Sequence, residues 1–297
     1  MVSRFIMMVV IFLLLGKQIL LIFLIYFENV GLASILVGAL LSPFKFLISR
    51  NLVYTNKRVP IAIRDMMGQA TRNLDPILRI SSNLQRANLS RDRTKKYWLR
   101  SLFGFQNVEV LVSLDVPWWP YSAAKKIEEF LHDKVSPRVF EWGSGASTIW
   151  LANRADHVVS IEHDQEWAVK MHALLVARAI DNTKIIHVPA PQTASPVVRS
   201  KKAGYELLDF ANYADAIDKF ELFDLIIIDG RVRLDCLKKA KSHLKEGGMI
   251  LLDNSNRKRY QVLEDEFEVL IFEGLTPASL WKTQSKLLKP RITTNFI

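Results

Sequence analysis

The chain has 297 residues, of which 49% are hydrophobic and 24% charged, enough for one large domain with an appendage or for two small domains. Its mean hydropathy of +0.11 is high for a soluble enzyme and indicates that part of the chain is not soluble. The single cysteine, Cys236, excludes a disulfide framework and a cysteine-based zinc site, and the scattered histidines contain no HExxH pair.

The net charge of +10 belongs almost entirely to one segment. Residues 45–101 contain 13 Lys and Arg against 3 Asp, whereas residues 1–44 carry a net charge of +1 and residues 102–297 a net charge of −1. A nucleic-acid-binding domain would carry a basic face on its folded part. The nearly neutral C-terminal two thirds therefore predicts that nucleic acid is not a partner.

An apolar run over residues 5–27 is long enough to cross a bilayer core, which takes about 20 apolar residues. Lys17 at its centre costs about 2.5–3.5 kcal/mol, which about ten Leu and Ile residues outweigh at about −0.3 to −0.6 kcal/mol each. A second apolar run covers residues 30–41. Two topologies remain open: a tight transmembrane hairpin, or one transmembrane helix followed by an interfacial helix. A cleaved signal peptide fits poorly, because the apolar region is too long and no small-residue cleavage site follows it closely.

The basic stretch beyond these runs marks the cytoplasmic side of a membrane. Its Lys and Arg residues attract anionic lipid head groups by about 1 kcal/mol for each residue near the surface. The sequence therefore predicts a membrane-anchor segment over residues 1–49 and a basic juxtamembrane helical linker over residues 50–101. The third part is a globular domain over residues 102–297, which lies on the cytoplasmic side.

Beyond Pro137, short apolar runs alternate with amphipathic stretches. The apolar runs predict strands at residues 138–141, 157–162, 184–188, 223–229 and 249–253. The stretches between them predict helices at 147–153, 165–179 and 234–244, the last closed by Gly247-Gly248. Two further runs, 267–272 and 280–287, predict a C-terminal antiparallel hairpin. This alternation is typical of an α/β domain, so we expect a Rossmann-like, doubly wound, mostly parallel sheet with that hairpin, preceded by N-terminal membrane helices.

Acidic residues stand at the ends of four predicted strands: Glu141, Glu162, Asp229 and Asp253. In open α/β sheets, ligands bind at the carboxyl ends of the strands. A single acid there is easily explained as a helix cap. Four acids at one edge of the sheet indicate a site for a ligand with hydroxyl groups and a positive charge.

The turn after the first strand reads EWGSGAST over residues 141–148. Its glycines, Gly143 and Gly145, let the backbone approach a ligand closely and open a helix. Glu162 follows Gly143 by 19 residues, a spacing that suits a carboxylate binding both ribose hydroxyls. A nicotinamide-dependent oxidoreductase shares that acid, but it usually has a third glycine where this chain has Thr148, and Glu141 would repel a pyrophosphate.

Four motifs, FEWGSGAST, VVSIEHD, FDLIIIDG and EGGMILLDNS, together resemble class I S-adenosylmethionine-dependent methyltransferases over about residues 115–297. The resemblance implies S-adenosylmethionine as cofactor, bound through a set of residues at the first two motifs: Glu141, Gly143, Ser144, Gly145, Thr148, Glu162 and His163. In that set the glycine turn borders the methionine part, Glu141 helps to hold its amino group directly or through water, Glu162 binds the ribose, and His163 lies beside the adenine. The segment 117–121 (PWWPY) covers the cofactor or, alternatively, contributes aromatic side chains to the core.

A narrower resemblance, to metal-dependent O-methyltransferases of the catechol and caffeoyl-CoA type, rests on Asp229, Asp253 and Asn254. It implies that these three residues hold Mg²⁺, which prefers such oxygen ligands. The chain departs from that family at Val232, where the family has a lysine base. The alternative is that Asn254 or Ser255 caps a helix, and that Asp229 is the catalytic base or orients the substrate or cofactor.

A long insertion follows the third predicted strand, and loops of this length in compact domains are usually functional or mobile. Its cationic residues suit an anionic substrate and its tyrosines a sugar or an aromatic acceptor, although a solvated loop fits equally: Arg199, Lys201, Lys202, Tyr205 and Tyr213.

The sequence therefore favours a membrane-anchored methyltransferase that works on oxygen at the cytoplasmic face, with a small molecule, a lipid or a glycan as acceptor. The alternatives are a non-catalytic membrane scaffold with a vestigial cofactor fold, and a nicotinamide-dependent oxidoreductase.

Overall fold

The computed structural model describes residues 108–257, 260, 266–279 and 282–291, together with residues 98 and 101. Gly104–Ile297 is one compact unit of the chain, and the fold below is that of this unit. The predicted membrane anchor over residues 1–49, and nearly all of the predicted linker over residues 50–101, lie outside the described residues. Among the residues that are described, no helix has the length and the apolar character needed to cross a bilayer.

Seven strands of the described residues form one sheet: β1 (Arg138–Trp142), β2 (His157–Glu162), β3 (Thr183–His187), β4 (Phe223–Ile228), β5 (Leu244–Leu252), β6 (Phe267–Gly274) and β7 (Thr283–Pro290). Their order across the sheet is β3-β2-β1-β4-β5-β7-β6. Strands β1 to β5 pair in parallel, and β7 is antiparallel to both β5 and β6. The predicted mostly parallel α/β sheet with an antiparallel C-terminal pair is confirmed.

The helices of the described part are α1 (Val108–Ser113), α2 (Tyr121–His132), α3 (Ala146–Ala152), α4 (Gln165–Ala177), α5 (Ala211–Ala214) and α6 (Arg233–Ala240). Side-chain alternation along β4 divides the interior into two cores. Leu225 and Ile227 belong to the core that includes α2, and Ile226 and Ile228 to the core that includes α6. All four are fully buried, and full burial of such a side chain contributes about 1.5–3 kcal/mol. A sheet with a core on each face is the predicted doubly wound arrangement.

The prediction that Gly247-Gly248 closes a helix is wrong. Helix α6 ends at Ala240 and is followed by a 3-10 turn, Lys241–His243, and both glycines lie inside β5. Gly247 has a φ of +69°, and the pairing of β4 with β5 is irregular at this end. A bulge that needs a left-handed residue explains the glycine without a helix end.

The predicted insertion after β3 is tied down by short elements. Isolated bridges join Gln192 to Leu208 and Arg199 to Asp209, before α5 and a 3-10 turn, Asp215–Lys219, lead into β4. The Asp209 carboxylate accepts hydrogen bonds from three backbone N–H groups of this segment, at 2.9 to 3.1 Å. The loop therefore holds its aromatic residues in defined positions at the carboxyl edge of the sheet.

Candidate active site

Two glycines pack backbone against backbone where β1 and β4 end. A Cβ atom on Gly143 would lie 2.7 Å from the Cα of Gly230, and Gly143 has a φ of +97°. The Asp229 backbone N–H donates to the Trp142 carbonyl over 3.1 Å, which holds the two turns together. We call Gly143 and Gly230 the glycine seam; the absence of a Cβ atom at both positions lets the two turns pack backbone against backbone.

Glu141 lies beneath the turn and is 0% exposed. Its carboxylate accepts hydrogen bonds from the hydroxyls of Ser147, Thr148 and Ser160, at 2.5, 2.5 and 2.8 Å. The Thr148 hydroxyl also accepts the Gly145 N–H over 2.9 Å. The structure therefore places Glu141 and Thr148 where they fix the turn from below, and the role that the resemblance implied for them at the cofactor, for Glu141 directly or through water, stays a prediction.

Burial raises the pKa of Glu141 to about 7, although its three hydroxyl partners lower it. The folded protein thus binds this proton more tightly than the unfolded chain, in which a glutamate titrates near 4.5. Glu141 therefore makes its full contribution to the free energy of unfolding below pH 4.5. This contribution is lost as the pH rises to about 7. The total loss is about 3 kcal/mol, because one pKa unit corresponds to about 1.36 kcal/mol.

We expect Glu141→Gln to remove this part of the pH dependence, because the amide has no charge to bury. Urea unfolding at several pH values between 4.5 and 7 measures it. The free energy of unfolding of the variant should fall less steeply with pH than that of the wild type, and equal slopes would contradict the assignment.

Glu162, at the end of β2, is 4% exposed and lies beside the turn. One carboxylate oxygen accepts from the Ser144 N–H at 3.2 Å and its hydroxyl at 3.0 Å. The other accepts from the backbone of His163 and Asp164, at 2.8 and 3.0 Å, and lies 2.7 Å from the His163 imidazole Nδ1. Burial raises the pKa of Glu162, but these hydrogen bonds and the imidazole outweigh it and hold the pKa below its usual range. Glu162 is therefore an ionised acceptor, as ribose hydroxyls require.

Two buried polar atoms at this edge have no hydrogen-bond partner among the described residues: His163 Nε2 and the Tyr213 hydroxyl. The His163 ring lies among the rings of Tyr205, Phe210 and Tyr213, at centroid distances of 5.9, 5.5 and 5.9 Å. Buried polar groups normally have a partner. Together with the seam and Glu162, these two atoms fit a polar ligand of the kind that the resemblance implies.

Asp229, which follows β4, and Asp253, which follows β5, share one cation, Arg233. Its guanidinium Nη2 lies 2.7 Å from the Asp229 carboxylate, and Nη1 lies 3.7 Å from that of Asp253. Trp119, from the PWWPY segment, is 0% exposed and donates its indole N–H to Asp229 over 3.1 Å. Of the two alternatives for this segment, the burial of Trp119 supports the one in which its aromatic side chains contribute to the core. Its hydrogen bond also orients the Asp229 carboxylate.

The two aspartates meet at neighbouring strand ends, but the donor set does not fit the predicted Mg²⁺. Asp253 accepts the Ser285 hydroxyl over 2.7 Å and the Asn254 amide, so that Asn254 donates through its amide N–H. Each aspartate already faces Arg233, and the described residues contain no group of three or more acids, histidines or cysteines placed to hold a metal. The predicted Mg²⁺ does not fit this arrangement, because a guanidinium lies between the two carboxylates, and the metal role of Asp229, Asp253 and Asn254 stays a prediction.

Burial and the charge of Asp253 raise the pKa of Asp229 to about 8, although Arg233 and Trp119 lower it. A carboxyl that titrates this close to neutral pH can take up and release a proton under ordinary conditions. Sequence reasoning missed the role of Arg233. The available signal was its spacing, four residues after Asp229, which places it at the start of the next helix and within reach of that acid.

The loop contributes a second cationic feature. Lys202 Nζ lies 4.2 Å from the centre of the Tyr205 ring, and the Arg231 guanidinium carbon lies 5.3 Å from it. Arg199, by contrast, donates to a carbonyl of its own loop, that of Pro196, over 3.1 Å. Of the predicted loop residues, Lys202, Tyr205 and Tyr213 therefore lie beside the site.

Solved structures to which this chain is similar share little sequence with it. A methyltransferase-like protein from Silicibacter pomeroyi is 21% identical, over 59% of this chain and 92% of its own, with a TM-score of 0.42. An rRNA methylase from Streptococcus thermophilus is 16% identical, over 56% and 95%, with a TM-score of 0.40. A protein from Streptococcus mutans, described as a methyltransferase and solved in complex with SAH, is 14% identical, over 56% and 97%, with a TM-score of 0.40.

No family model and no curated protein matches the chain. Identities this low and TM-scores near 0.4 do not assign an activity to this chain. A functional proposal has to be argued from the chain's own topology and site.

Proposed function

We propose that this chain is a membrane-attached, S-adenosylmethionine-dependent methyltransferase that transfers a methyl group to an oxygen at the cytoplasmic face. The observation that most supports this proposal is the pair of carboxyl groups beside the glycine seam. Glu162, bonded to Ser144 on one side, is ionised and accepts hydrogen bonds. Asp229, next to Gly230 on the other side, titrates near neutral pH. A cofactor bound along the glycine seam would have Glu162 beside it as hydrogen-bond acceptor for the ribose, and Asp229 as base for the methyl acceptor.

When bound, the cofactor supplies an electrophilic methyl group on a sulfonium centre. Glu162 orients the ribose hydroxyls, after the Ser144 hydroxyl rotates away from the shared oxygen, since a carboxylate has about four acceptor sites. Asp229, held by Arg233 and Trp119, takes the proton from the acceptor hydroxyl as the oxygen attacks. Most of the acceleration comes from alignment of the reacting groups.

The membrane and the acceptor are the parts of the proposal supported by sequence and charge. The apolar run 5–27 followed by the basic stretch 45–101 supports attachment with the C-terminal domain in the cytoplasm. Lys202 and Arg231 have no carboxylate within 4.0 Å in the described part of the chain and flank the Tyr205 ring. They favour an acceptor with a negative charge, whether a small molecule, a lipid or a glycan.

We expect the full-length protein in detergent to bind S-adenosylmethionine with micromolar affinity, which is typical of cofactor sites. Glu162→Gln should weaken binding about 10- to 100-fold, because charge-assisted hydrogen bonds contribute about 1.5–3 kcal/mol. Calorimetry measures both, with Glu166→Gln, an exposed acid on α4, as the matched control. Unchanged affinity in Glu162→Gln would remove Glu162 from the site, and tight binding of NADH instead would favour the oxidoreductase.

One observation favours a non-catalytic scaffold as the second candidate. Glu162 already receives four hydrogen bonds from the chain itself and a contact from His163, so that the turn is complete without a ligand. A folded wild-type protein that binds no S-adenosylmethionine in the same titration would support this candidate.

Deletion of residues 1–49 should release the protein from membranes at high salt. The basic stretch retains a weaker attraction to anionic lipid, which salt screens within a Debye length of about 3 Å at 1 M. Fractionation of cell membranes at low and high salt tests this. A truncated chain that stays bound at high salt would place the anchor elsewhere.

A further inference from the structure

Tyr213 stands at the centre of the aromatic cluster beside the seam. It lies on α5 and is 0% exposed. Its backbone carbonyl accepts the Trp142 indole N–H over 2.8 Å, and its ring packs edge-on against Phe210 at 5.8 Å between centroids. Contacts from the end of β1 and from its own loop therefore fix the direction of the phenol.

The hydroxyl of Tyr213 points at the glycine seam. A Cβ atom on Gly230 would overlap it, so that only a glycine there leaves room for the phenol. The hydroxyl completes no hydrogen bond among the described residues. Burial raises the pKa of Tyr213 well above its usual value. The Arg231 backbone, which interacts with the hydroxyl without reaching hydrogen-bond geometry, only partly opposes this, so that the phenol keeps its proton and can donate.

Packing alone does not account for this hydroxyl. A phenylalanine would fill nearly the same space without leaving a buried polar group unpartnered, which lowers the stability of the free protein. An acceptor that is present only when a ligand is bound would satisfy the hydroxyl. His163 Nε2 is likewise buried without a hydrogen-bond partner among the described residues, and the centroid of its ring lies 5.9 Å from that of Tyr213.

We propose that the Tyr213 hydroxyl donates a hydrogen bond to the carboxylate at the amino-acid end of bound S-adenosylmethionine. The proposal rests on the proposed function, in which the turn 143–145 borders the methionine part of the cofactor. The Tyr213 hydroxyl lies against Gly230, and Gly230 in turn packs directly against Gly143. A carboxylate is the strongest hydrogen-bond acceptor at that end of the molecule. Since Tyr213 is fully buried, the ligand displaces part of the cluster, in which Tyr205 and His163 are the half-buried members.

Two ligands and one conservative substitution test the hydrogen bond. S-adenosylhomocysteine carries the amino-acid end, and 5′-methylthioadenosine lacks it but keeps the adenosine and the sulfur. Calorimetry on the full-length protein should show that Tyr213→Phe weakens S-adenosylhomocysteine about 10-fold, or about 1.4 kcal/mol, and leaves 5′-methylthioadenosine unchanged. The Tm without ligand should stay the same or rise.

Equal weakening of both ligands in Tyr213→Phe would overturn the proposal, because the residue would then act through packing. Unchanged affinity for S-adenosylhomocysteine would overturn it as well. Binding of neither ligand by the wild type would instead refute the proposed function, and with it this contact. A fall in the Tm of the free Tyr213→Phe protein would show that the hydroxyl has a structural partner and would also count against the proposal.

Discussion

Alanine in place of Gly143 is expected to lower the free energy of unfolding by about 2–5 kcal/mol. A left-handed conformation costs a residue with a side chain about 1–2 kcal/mol, and overpacking adds about 1–3 kcal/mol. Both apply at Gly143, which has a φ of +97° and whose added Cβ would lie 2.7 Å from the Gly230 Cα and 3.1 Å from the Asp229 carbonyl carbon. Urea unfolding of the full chain, followed by tryptophan fluorescence, measures the loss.

Gly204 provides the control for this substitution. It has a φ of +83°, but a Cβ there would meet nothing within 4 Å. Gly204→Ala therefore isolates the backbone effect, about 1–2 kcal/mol. If the two variants lost equal stability, the close approach of the two turns would contribute nothing, and the glycine seam would not be a packed contact.

Substitution of Arg233 by methionine is expected to lower stability by about 3–5 kcal/mol, the usual result of removing one partner from a buried ionic group. Arg233 is 8% exposed and is the cation between Asp229 and Asp253. It also donates to the backbone carbonyls of Gly230, Asp229 and Asp253. Methionine matches much of its volume but leaves the two carboxyl groups without their cation and three backbone carbonyls without the guanidinium donor.

Lys239→Met is the matched control. Lys239 contacts two acids, Asp215 at 2.9 Å and Asp218 at 2.6 Å, but this cluster is exposed to solvent. Exposed pairs contribute little to stability, so we expect no measurable change. Denaturant unfolding of both variants decides the matter. A loss at Lys239 as large as that at Arg233 would show that burial is not what makes the Arg233 cluster important.

The strands were predictable because each is a short apolar run between turns. β4 was predicted at 223–229 and lies at Phe223–Ile228, and β2 was predicted with its observed limits. The parallel order followed from strand–helix alternation. Local patterns fail where tertiary context decides: a Gly-Gly pair is equally suited to a helix end and to a strand bulge, and only the pairing of β5 with β4 selects the bulge.

The site was predictable in part. Acids at strand ends must meet at one edge of a parallel sheet, which is why Asp229 and Asp253 were correctly expected to be close. The burial of Glu141 also follows from alternation, since Glu141 shares a face of β1 with Val139, toward α3 and its hydroxyls. The position of Tyr213 depends on a long loop and carries no local pattern from which to derive it.

Strand β7 follows β6 in the chain but lies between β6 and β5 in the sheet. During synthesis, β6 leaves the ribosome before any strand that it will pair with is beside it, and β5 presents an open edge until residues 283–290 arrive. Unpaired edges are the places where strands of different molecules associate. A chain cut short between β6 and β7 would lose an interior strand, so the integrity of the whole sheet depends on translation running past this point.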